Sequence, residues 1–144
     1  MAIIEEIENL TEKDHQECLE MLPQLLPEAE LPSFGVFQEI ITAPGTHLFV
    51  ARNENSKIIG MLTLILYRIP IGLCARFEDI VVHENHRRQG IGKQLCQAAI
   101  DAAKSAGAIK IDLTSNPART EAHKLHESLG FKIYDTTVYR YNLH

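Results

Sequence analysis

The sequence lacks the features that mark membrane, secreted and nucleic-acid-binding proteins. Its longest apolar run, Ile58 to Tyr67, is too short to span a bilayer. The first ten residues, MAIIEEIENL, include acids and no basic segment, so we expect no signal peptide. Acidic residues outnumber basic ones by 19 to 14, and the net charge of -5 argues against broad binding to nucleic acid. We therefore predict a cytoplasmic protein with neither a membrane nor a nucleic-acid partner.

Cysteine is also scarce, and no metal-binding pattern is complete. The cysteines are Cys18, Cys74 and Cys96, with no C-x-x-C spacing among them. An odd and scattered set is typical of reduced thiols in a cytosol. Two histidine pairs, His83-x-x-His86 and His123-x-x-His126, lack the additional nearby ligands that a zinc site needs. We predict that no metal is bound.

The pattern along the 144 residues predicts one domain, residues 1–144, with an α/β (α+β) fold. Residues at strand and helix spacing alternate in the order β-α-(α)-β-β-β-α-β-α-β-β. The predicted strands are Ile3–Ile7, His47–Ala51, Lys57–Tyr67, Ala75–His83, Ile109–Leu113, Phe131–Asp135 and Val138–Leu143. The predicted helices follow Thr11, cover Val36–Ile41, run from Ile91 to Gly107 and cover Thr120–Leu129. We expect a mixed central sheet, first an antiparallel meander and then a parallel pair joined by a helix.

The stretch from Phe77 to Lys93, FEDIVVHENHRRQGIGK, has the order strand, basic turn, glycine and helix. The first N–H groups of a helix are free and carry partial positive charge, so they bind anions. Glycines allow a ligand to approach the backbone closely, and Arg87, Arg88 and Lys93 add positive charge. The stretch therefore predicts a phosphate-binding site.

Two motifs in this chain resemble those of the GNAT superfamily of acetyl-CoA-dependent N-acetyltransferases. The first is Arg87-x-x-Gly90-x-Gly92 after the fourth strand. The second runs from Arg119 to Phe131 and resembles the C-terminal motif of the family. The order of elements matches over nearly the whole chain. The resemblance implies helices on both faces of the sheet and a fourth and fifth strand that splay apart.

The resemblance also implies acetyl-CoA as the cofactor and a set of residues that hold it. The pyrophosphate of CoA is expected on the N–H groups of Gln89, Gly90, Ile91, Gly92 and Lys93. The pantetheine arm is expected along the backbone of Ile80, Val81 and Val82, where an N–H group would bind the thioester oxygen. Asn116, Arg119 and Ala122 are expected to flank the cofactor.

Acetyl transfer to an amine requires a base, and a proton donor for the departing thiolate assists it. By the family pattern Glu78 is the expected base; Asp79 is the alternative base or a structural partner, and both could be purely structural. The family usually has a tyrosine acid where this sequence has His126, which could donate a proton, donate a hydrogen bond as neutral imidazole, or only fill space.

We therefore predict an N-acetyltransferase that moves the acetyl group of acetyl-CoA to a primary amine of a small molecule by direct attack. The alternatives are acetylation of a protein or peptide amine, and a non-catalytic module that senses acyl-CoA. The acceptor is expected to contact residues between Leu22 and Phe37 and between Tyr67 and Ala75. Phe34 and Asp79 are the predicted substrate-binding residues. A homodimer is an open expectation from the family.

Overall fold

The structure is a computed structural model that describes residues 2–28 and 30–144. The described strands are β1 (Ile3–Glu6), β2 (Thr46–Arg52), β3 (Ile58–Ile69), β4 (Gly72–Val82) and β5 (Ile111–Asp112). The described α-helices are α1 (Glu12–Met21), α2 (Phe34–Thr42), α3 (Ile91–Ala106) and α4 (Thr120–Ser128). Short 3-10 turns cover Leu22–Gln24 and Glu84–His86. The described residues fall into two compact units, Met1–Thr114 and Ser115–His144. The single domain expected from the sequence stays a prediction.

The first unit contains a sheet in the order β1-β2-β3-β4-β5. Neighbouring strands are antiparallel from β1 to β4, whereas β4 and β5 are parallel, with Ala75 opposite Ile111. A parallel pair needs a long connection between its strands, and α3 supplies it. The predicted meander followed by a parallel pair is confirmed.

Helices cover both faces of the sheet, as predicted. On one face, Cys18 and Met21 of α1 and Phe37 of α2 pack in a buried cluster with Val50 and Met61. Successive residues of a strand point to opposite faces, so the neighbours of Val50 and Met61 belong to the other face.

On that second face α3 lies close to the sheet over Gly60. A Cβ atom on Gly60 would stand 3.1 Å from Leu95 Cδ1 and 3.2 Å from Ile91 Cγ2. Glycine therefore sets the short distance between α3 and β3. Within the described part of the chain no helix is long and apolar enough to cross a membrane.

Helix α1 has a side-chain cap and a buried ionic anchor. The hydroxyl of Thr11 accepts a hydrogen bond of 3.0 Å from the N–H of Asp14. The carboxylate of Asp14 accepts two hydrogen bonds from Arg52 of β2, at 2.9 and 3.1 Å. Arg52 keeps the pKa of Asp14 below its usual value, chiefly through these hydrogen bonds. The capped turn is thereby attached to the sheet.

The two strands predicted at the C-terminal end, Phe131–Asp135 and Val138–Leu143, are wrong for this structure. All residues from 131 to 144 are described, and none of them belongs to a strand. Their apolar side chains are open to solvent; Ile133 and Tyr139, for example, are each 91% exposed. The sequence pattern records strand propensity, but a strand forms only where a second strand supplies hydrogen-bond partners.

Candidate active site

The central feature of the site is a β-bulge in β4. Thr63 of β3 pairs with Glu78 and Met61 pairs with Val81, so Asp79 and Ile80 together lie opposite a single residue. Asp79 has a φ of 50°, in the left-handed region that few residues other than glycine adopt. A bulge leaves its extra residue out of the hydrogen-bond ladder and bends the strand.

The bulge also changes which residues of β4 point to each face of the sheet. Phe77 pairs with Leu64, whereas Val81 pairs with Met61. Leu64 and Met61 are three positions apart in β3 and therefore point to opposite faces. Val81 accordingly joins the buried cluster beneath α1 and α2, and Phe77 does not. Strict alternation from the sequence would place Phe77 and Val81 on the same face. The part of β4 predicted to hold the thioester thus begins where regular pairing is interrupted.

The two carboxylates beside the bulge have different surroundings. Glu78 accepts a hydrogen bond from the guanidinium of Arg76, two residues earlier in β4, in a half-exposed ion pair. Arg76 also reaches the hydroxyl of Thr114 at 3.5 Å and lies opposite Asp112 in the parallel pair. Glu78 is therefore engaged by a cation at the point where β4 pairs with β5.

Asp79, by contrast, makes no hydrogen bond or ion pair with any described residue. The residue is exposed to solvent. Its carboxylate is still partly desolvated by the surrounding protein, which raises its pKa, and the negative charge of Glu78 raises it further. Both oxygens of Asp79 are therefore without a described partner, whereas one oxygen of Glu78 is bound by Arg76.

The turn after β4 leads to a helix start that no described side chain caps. Arg88 and Gly90 both have positive φ, 64° and 77°, and Gly90 is the N-cap residue of α3. No acidic residue lies in the first turn of α3, within the described part of the chain. Nε of Arg87 donates to the carbonyl of Val82 at 3.3 Å, which ties the turn back to the strand. The N–H groups of Gly90 to Lys93 are therefore left to a ligand.

This helix start fits the pyrophosphate group of CoA. A Cβ atom on Gly90 would have no described atom within 4 Å, so the space in front of the turn is open. Ile91 itself is buried. A cleft of about 620 Å³ lies beside the turn and is lined by Gln89, Ile91 and Gln94 among others. An uncapped N-terminus, a glycine and an open space are the features that anion binding requires.

Phe34 lies apart from this cleft. It is the first residue of α2 and contacts His15 edge to face, with 5.6 Å between ring centroids. Nε2 of His15 donates to the carbonyl of Pro32 at 2.9 Å and so holds the chain before α2. Phe34 and His15 line a second cleft of about 440 Å³, and among the described clefts Phe34 shares none with Glu78 or Asp79. Its predicted contact with substrate stays a prediction, and Ala29 of the same segment lies outside the described residues.

The second unit holds the other predicted residues. The side chain of Asn116 accepts from the N–H of Ala118 at 2.8 Å, and its carbonyl accepts from Nε2 of His123 at 3.0 Å. Arg119 is the N-cap residue of α4, and Ala122 follows in the first turn. The structure thus brings Asn116, Arg119 and Ala122 together around the start of α4.

His126 of α4 is 8% exposed and its ring meets Phe131 edge to face. Its Nδ1 is buried without a hydrogen-bond partner among the described residues. Burial lowers the pKa of His126, and the nearby His123 lowers it further. The ring is therefore neutral near pH 7, and donation of a hydrogen bond suits it better than delivery of a proton.

Arg76 and the bulge were not predicted from the sequence. Arg76 and Glu78 are oppositely charged and two positions apart, which places them on one face of a strand; that spacing was a usable signal. The bulge has no comparable signal, because Asp79 only tolerates a positive φ better than most residues do. In the described part of the chain no group of three or more His, Cys, Asp or Glu residues could hold a metal ion.

Comparison with known proteins gives consistent matches. A family model described as "Acetyltransferase (GNAT) family" matches residues 4–131. The aminoalkylphosphonate N-acetyltransferase of Salmonella typhimurium is 27% identical over 131 residues, which are 88% of this chain and 84% of the relative. The glucosamine 6-phosphate N-acetyltransferase of Schizosaccharomyces pombe is 35% identical over 63 residues, 42% of this chain and 57% of the relative. N-acetyltransferase 8 of Homo sapiens is 27% identical over 99 residues, 67% of this chain and 43% of the relative. The chain thus spans about half the length of these last two relatives.

Solved structures share the fold over nearly the whole chain. A transcriptional regulator from Bacillus halodurans C-125 has a TM-score of 0.83 and 30% identity, and the match covers 99% of this chain and 100% of the other. An aminoglycoside acetyltransferase from an uncultured soil sample, in complex with trehalose, has a TM-score of 0.83 and 23% identity, with 99% and 96% covered. The second likeness bears on the fold alone.

Proposed function

We propose that this chain, which belongs to the acetyltransferase (GNAT) family, is an enzyme that transfers the acetyl group of acetyl-CoA to the primary amine of a small molecule. The family predicted from two motifs is confirmed by the family match over residues 4–131. The acetyl donor, the amine specificity and the class of acceptor are our proposals.

The observation that carries the proposal is the pairing of a strand bulge with an open helix start on one continuous segment. The bulge at Asp79 interrupts the ladder of β4, and α3 begins at Ile91, twelve positions later, without a side-chain cap. An interrupted ladder provides backbone groups for an extended ligand, and the helix start provides N–H groups for a diphosphate. A ligand with a diphosphate at one end and an amide-bearing arm at the other, as in CoA, matches both features.

The residues of β4 and α3 would then have distinct roles. Acetyl-CoA, when bound, supplies an activated thioester carbonyl. The N–H groups of residues 90–93 would hold its diphosphate, and backbone N–H groups from Ile80 to Val82 would donate to the carbonyl oxygen. A carboxylate of β4 would take the proton of the acceptor's ammonium, the role expected of Glu78 from the sequence.

His126 is proposed as a hydrogen-bond donor to the leaving sulfur, as neutral imidazole. Its buried and unpartnered Nδ1 and its lowered pKa support this role. We expect His126→Phe to lower turnover at saturating acetyl-CoA by about tenfold, because one charge-assisted hydrogen bond is lost, while cofactor affinity stays the same. His126→Tyr, which restores a donor, should recover part of the rate. Equal turnover of His126→Phe and the unsubstituted protein would exclude the role.

The class of acceptor is proposed from the relatives. The names of two of them specify acceptors that carry both an amine and a phosphorus oxyanion, glucosamine 6-phosphate and aminoalkylphosphonate. A small, anionic amine is therefore the first acceptor to test. A protein or peptide amine is the second candidate, and acyl-CoA sensing without turnover is the third. We also propose a cytosolic location, in line with three buried, unpaired thiols among the described residues.

The test is release of CoA thiol from acetyl-CoA in the presence of single acceptors. The panel contains an aminoalkylphosphonate, an amino-sugar phosphate, an aminoglycoside and a peptide with a free N-terminus. We expect saturable turnover with a small amine and a product heavier by one acetyl group in mass spectrometry. Turnover with the peptide alone would favour the second candidate. Tight binding of acetyl-CoA without turnover on any acceptor would overturn the proposed enzyme and favour the sensor.

A further inference from the structure

We propose that Asp79, rather than Glu78, is the catalytic residue that accepts the proton of the acceptor's ammonium group. This inference rests on the proposed acetyl transfer to an amine and names the residue responsible for one step of it. It departs from the expectation that the family pattern sets for Glu78.

The two carboxylates differ in the lone pairs that they offer to a substrate. A base must present an unoccupied oxygen to a substrate that arrives from solvent. The carboxylate of Glu78 is already bound by Arg76, whose guanidinium also reaches Thr114. The carboxylate of Asp79 has no hydrogen-bond or ion-pair partner among the described residues, and the residue is exposed. One oxygen of Glu78 is therefore occupied by Arg76, whereas both oxygens of Asp79 are open to an acceptor.

The position of Asp79 in β4 also favours it as the base. Asp79 occupies the bulge itself, with a φ of 50°, and is directly followed by Ile80, the first residue of the proposed oxyanion segment. Non-glycine residues held at positive φ cost free energy and are concentrated at functional sites. The proposed donors to the thioester oxygen are the N–H groups that begin at Ile80. The carboxylate of Asp79 is therefore attached to the same stretch of backbone that would hold the reacting carbonyl.

The electrostatic surroundings of Asp79 favour the same role. Partial burial, and then the negative charge of Glu78, raise the pKa of Asp79. A carboxylate whose pKa is raised is a better proton acceptor than an ordinary exposed one. Glu78 is the charged group that acts on Asp79, and Arg76 is the cation that engages Glu78 in turn. The carboxylate of Glu78 is therefore the neighbouring charge that raises the pKa of Asp79.

The step balances as follows in atoms and charge. One proton moves from the ammonium nitrogen to an oxygen of Asp79, and the freed lone pair forms the new bond to the acetyl carbon. The bond from that carbon to sulfur breaks, and the sulfur leaves with the electron pair. The second proton lost by the nitrogen ends on the sulfur, which gives a thiol. Asp79 then releases its proton to water before the next turnover.

The experiment compares Asp79→Asn with Glu78→Gln on two acceptors of matched shape. One acceptor has an ordinary alkylamine, protonated at pH 7, and the other is its β,β,β-trifluorinated analogue, whose amine is largely neutral at that pH. We expect Asp79→Asn to lower kcat/KM about 100-fold or more for the first acceptor, the usual size of a general-base effect, and much less for the second. Glu78→Gln should lose less than about tenfold on both. The residual rate of Asp79→Asn with the alkylamine should rise steadily with pH as free amine accumulates.

Two controls separate a catalytic loss from a structural one. Acetyl-CoA affinity and the thermal midpoint of Asp79→Asn should match those of the unsubstituted protein, and Asp79→Ser should repeat its acceptor dependence. Equal losses of Asp79→Asn on both acceptors, or a larger and acceptor-dependent loss in Glu78→Gln, would overturn the assignment to Asp79 and leave the proposed function standing. Absence of transfer to any amine by the unsubstituted protein would overturn both.

Discussion

Helices α1 and α3 both pack on the central sheet of the first unit, and their first turns are built in opposite ways. In α1 the cap residue is Thr11, and the third residue of the helix is Asp14, an acid. In α3 the cap residue is Gly90 with a positive φ, and the third residue of the helix is Lys93, a base. The hydroxyl of Thr11 caps α1, and the acids Glu12 and Asp14 lie in its first turn, whereas no described side chain caps α3.

The difference supports the proposal that the start of α3 binds a ligand, whereas the start of α1 serves stability alone. A capped first turn gains stability from its own residues, about 1 kcal/mol for the cap alone. A first turn with glycine and lysine gives up that gain and keeps its partial positive charge available. On this proposal, substitutions in the first turn of α1 should change stability. Substitutions in the first turn of α3 should change the affinity for acetyl-CoA.

The largest effect is expected from Asp14→Asn in α1. It removes the charge that pairs with Arg52 and should lower the free energy of unfolding at pH 7 by roughly 1.5–3 kcal/mol, the range for hydrogen bonds to charged groups. The pKa of Asp14 is lowered in the folded state. Its stabilisation is therefore complete above the ordinary pKa of aspartate and is lost as pH falls through the folded value. Urea unfolding at pH 7 and pH 3 measures this.

The matched control for that variant is Glu12→Gln, which removes another first-turn acid of the same helix. Glu12 has no ion pair with a described residue, so its loss should change stability by only a few tenths of a kcal/mol. The asparagine variant could instead lose as much free energy of unfolding between pH 7 and pH 3 as the unsubstituted protein does. That result would refute the stabilising role of the ion pair between Asp14 and Arg52.

The next effect is expected from Gly90→Ala, with Gly107→Ala as its control at the other end of α3. Both glycines have positive φ, 77° and 89°, and at both positions an added Cβ meets no described atom within 4 Å. Each variant should therefore lose about 1–2 kcal/mol of stability, the cost of the left-handed conformation. Only Gly90→Ala should also weaken acetyl-CoA binding in titration calorimetry, because its methyl group enters the space before the helix start. Equal affinities of the two variants would place the diphosphate elsewhere.

The smallest effect is expected from Lys93→Glu, which gives the first turn of α3 the charge found in α1. Acetyl-CoA affinity should fall about fivefold, or ~1 kcal/mol, since a cation is replaced by an anion at an exposed site. The stability of the free protein should stay constant or rise by a few tenths of a kcal/mol, because an acid complements the helix N-terminus. Lys104→Glu, in the last turn of the same helix, should lower stability slightly and leave affinity unchanged. If Lys93→Glu lost stability and kept its affinity for acetyl-CoA, the proposed difference between the first turns of α1 and α3 would be contradicted.

The sequence predicted most of the fold and part of the site. The meander, the crossover helix and the glycine that ends it follow from local patterns, because apolar spacing and glycine placement act within a few residues. The strands expected at Phe131–Asp135 and Val138–Leu143 did not form, because pairing depends on residues distant in sequence. The contact between Arg76 and Glu78 was not predicted, although residues two positions apart in a strand point to the same face.

The sequence by itself determined the uncapped start of α3, where we propose that an anion binds. A basic turn, Gly90 and a helix that begins at Ile91 are consecutive, and the free N–H groups of a helix start need no distant partner. The tertiary structure decided which of two adjacent acids is free. The register between β3 and β4 places the bulge at Asp79, and the end of β4 beside β5 holds Arg76 against Glu78. Register is set by pairing between strands, so a list of residues leaves Glu78 and Asp79 equivalent and the folded sheet distinguishes them.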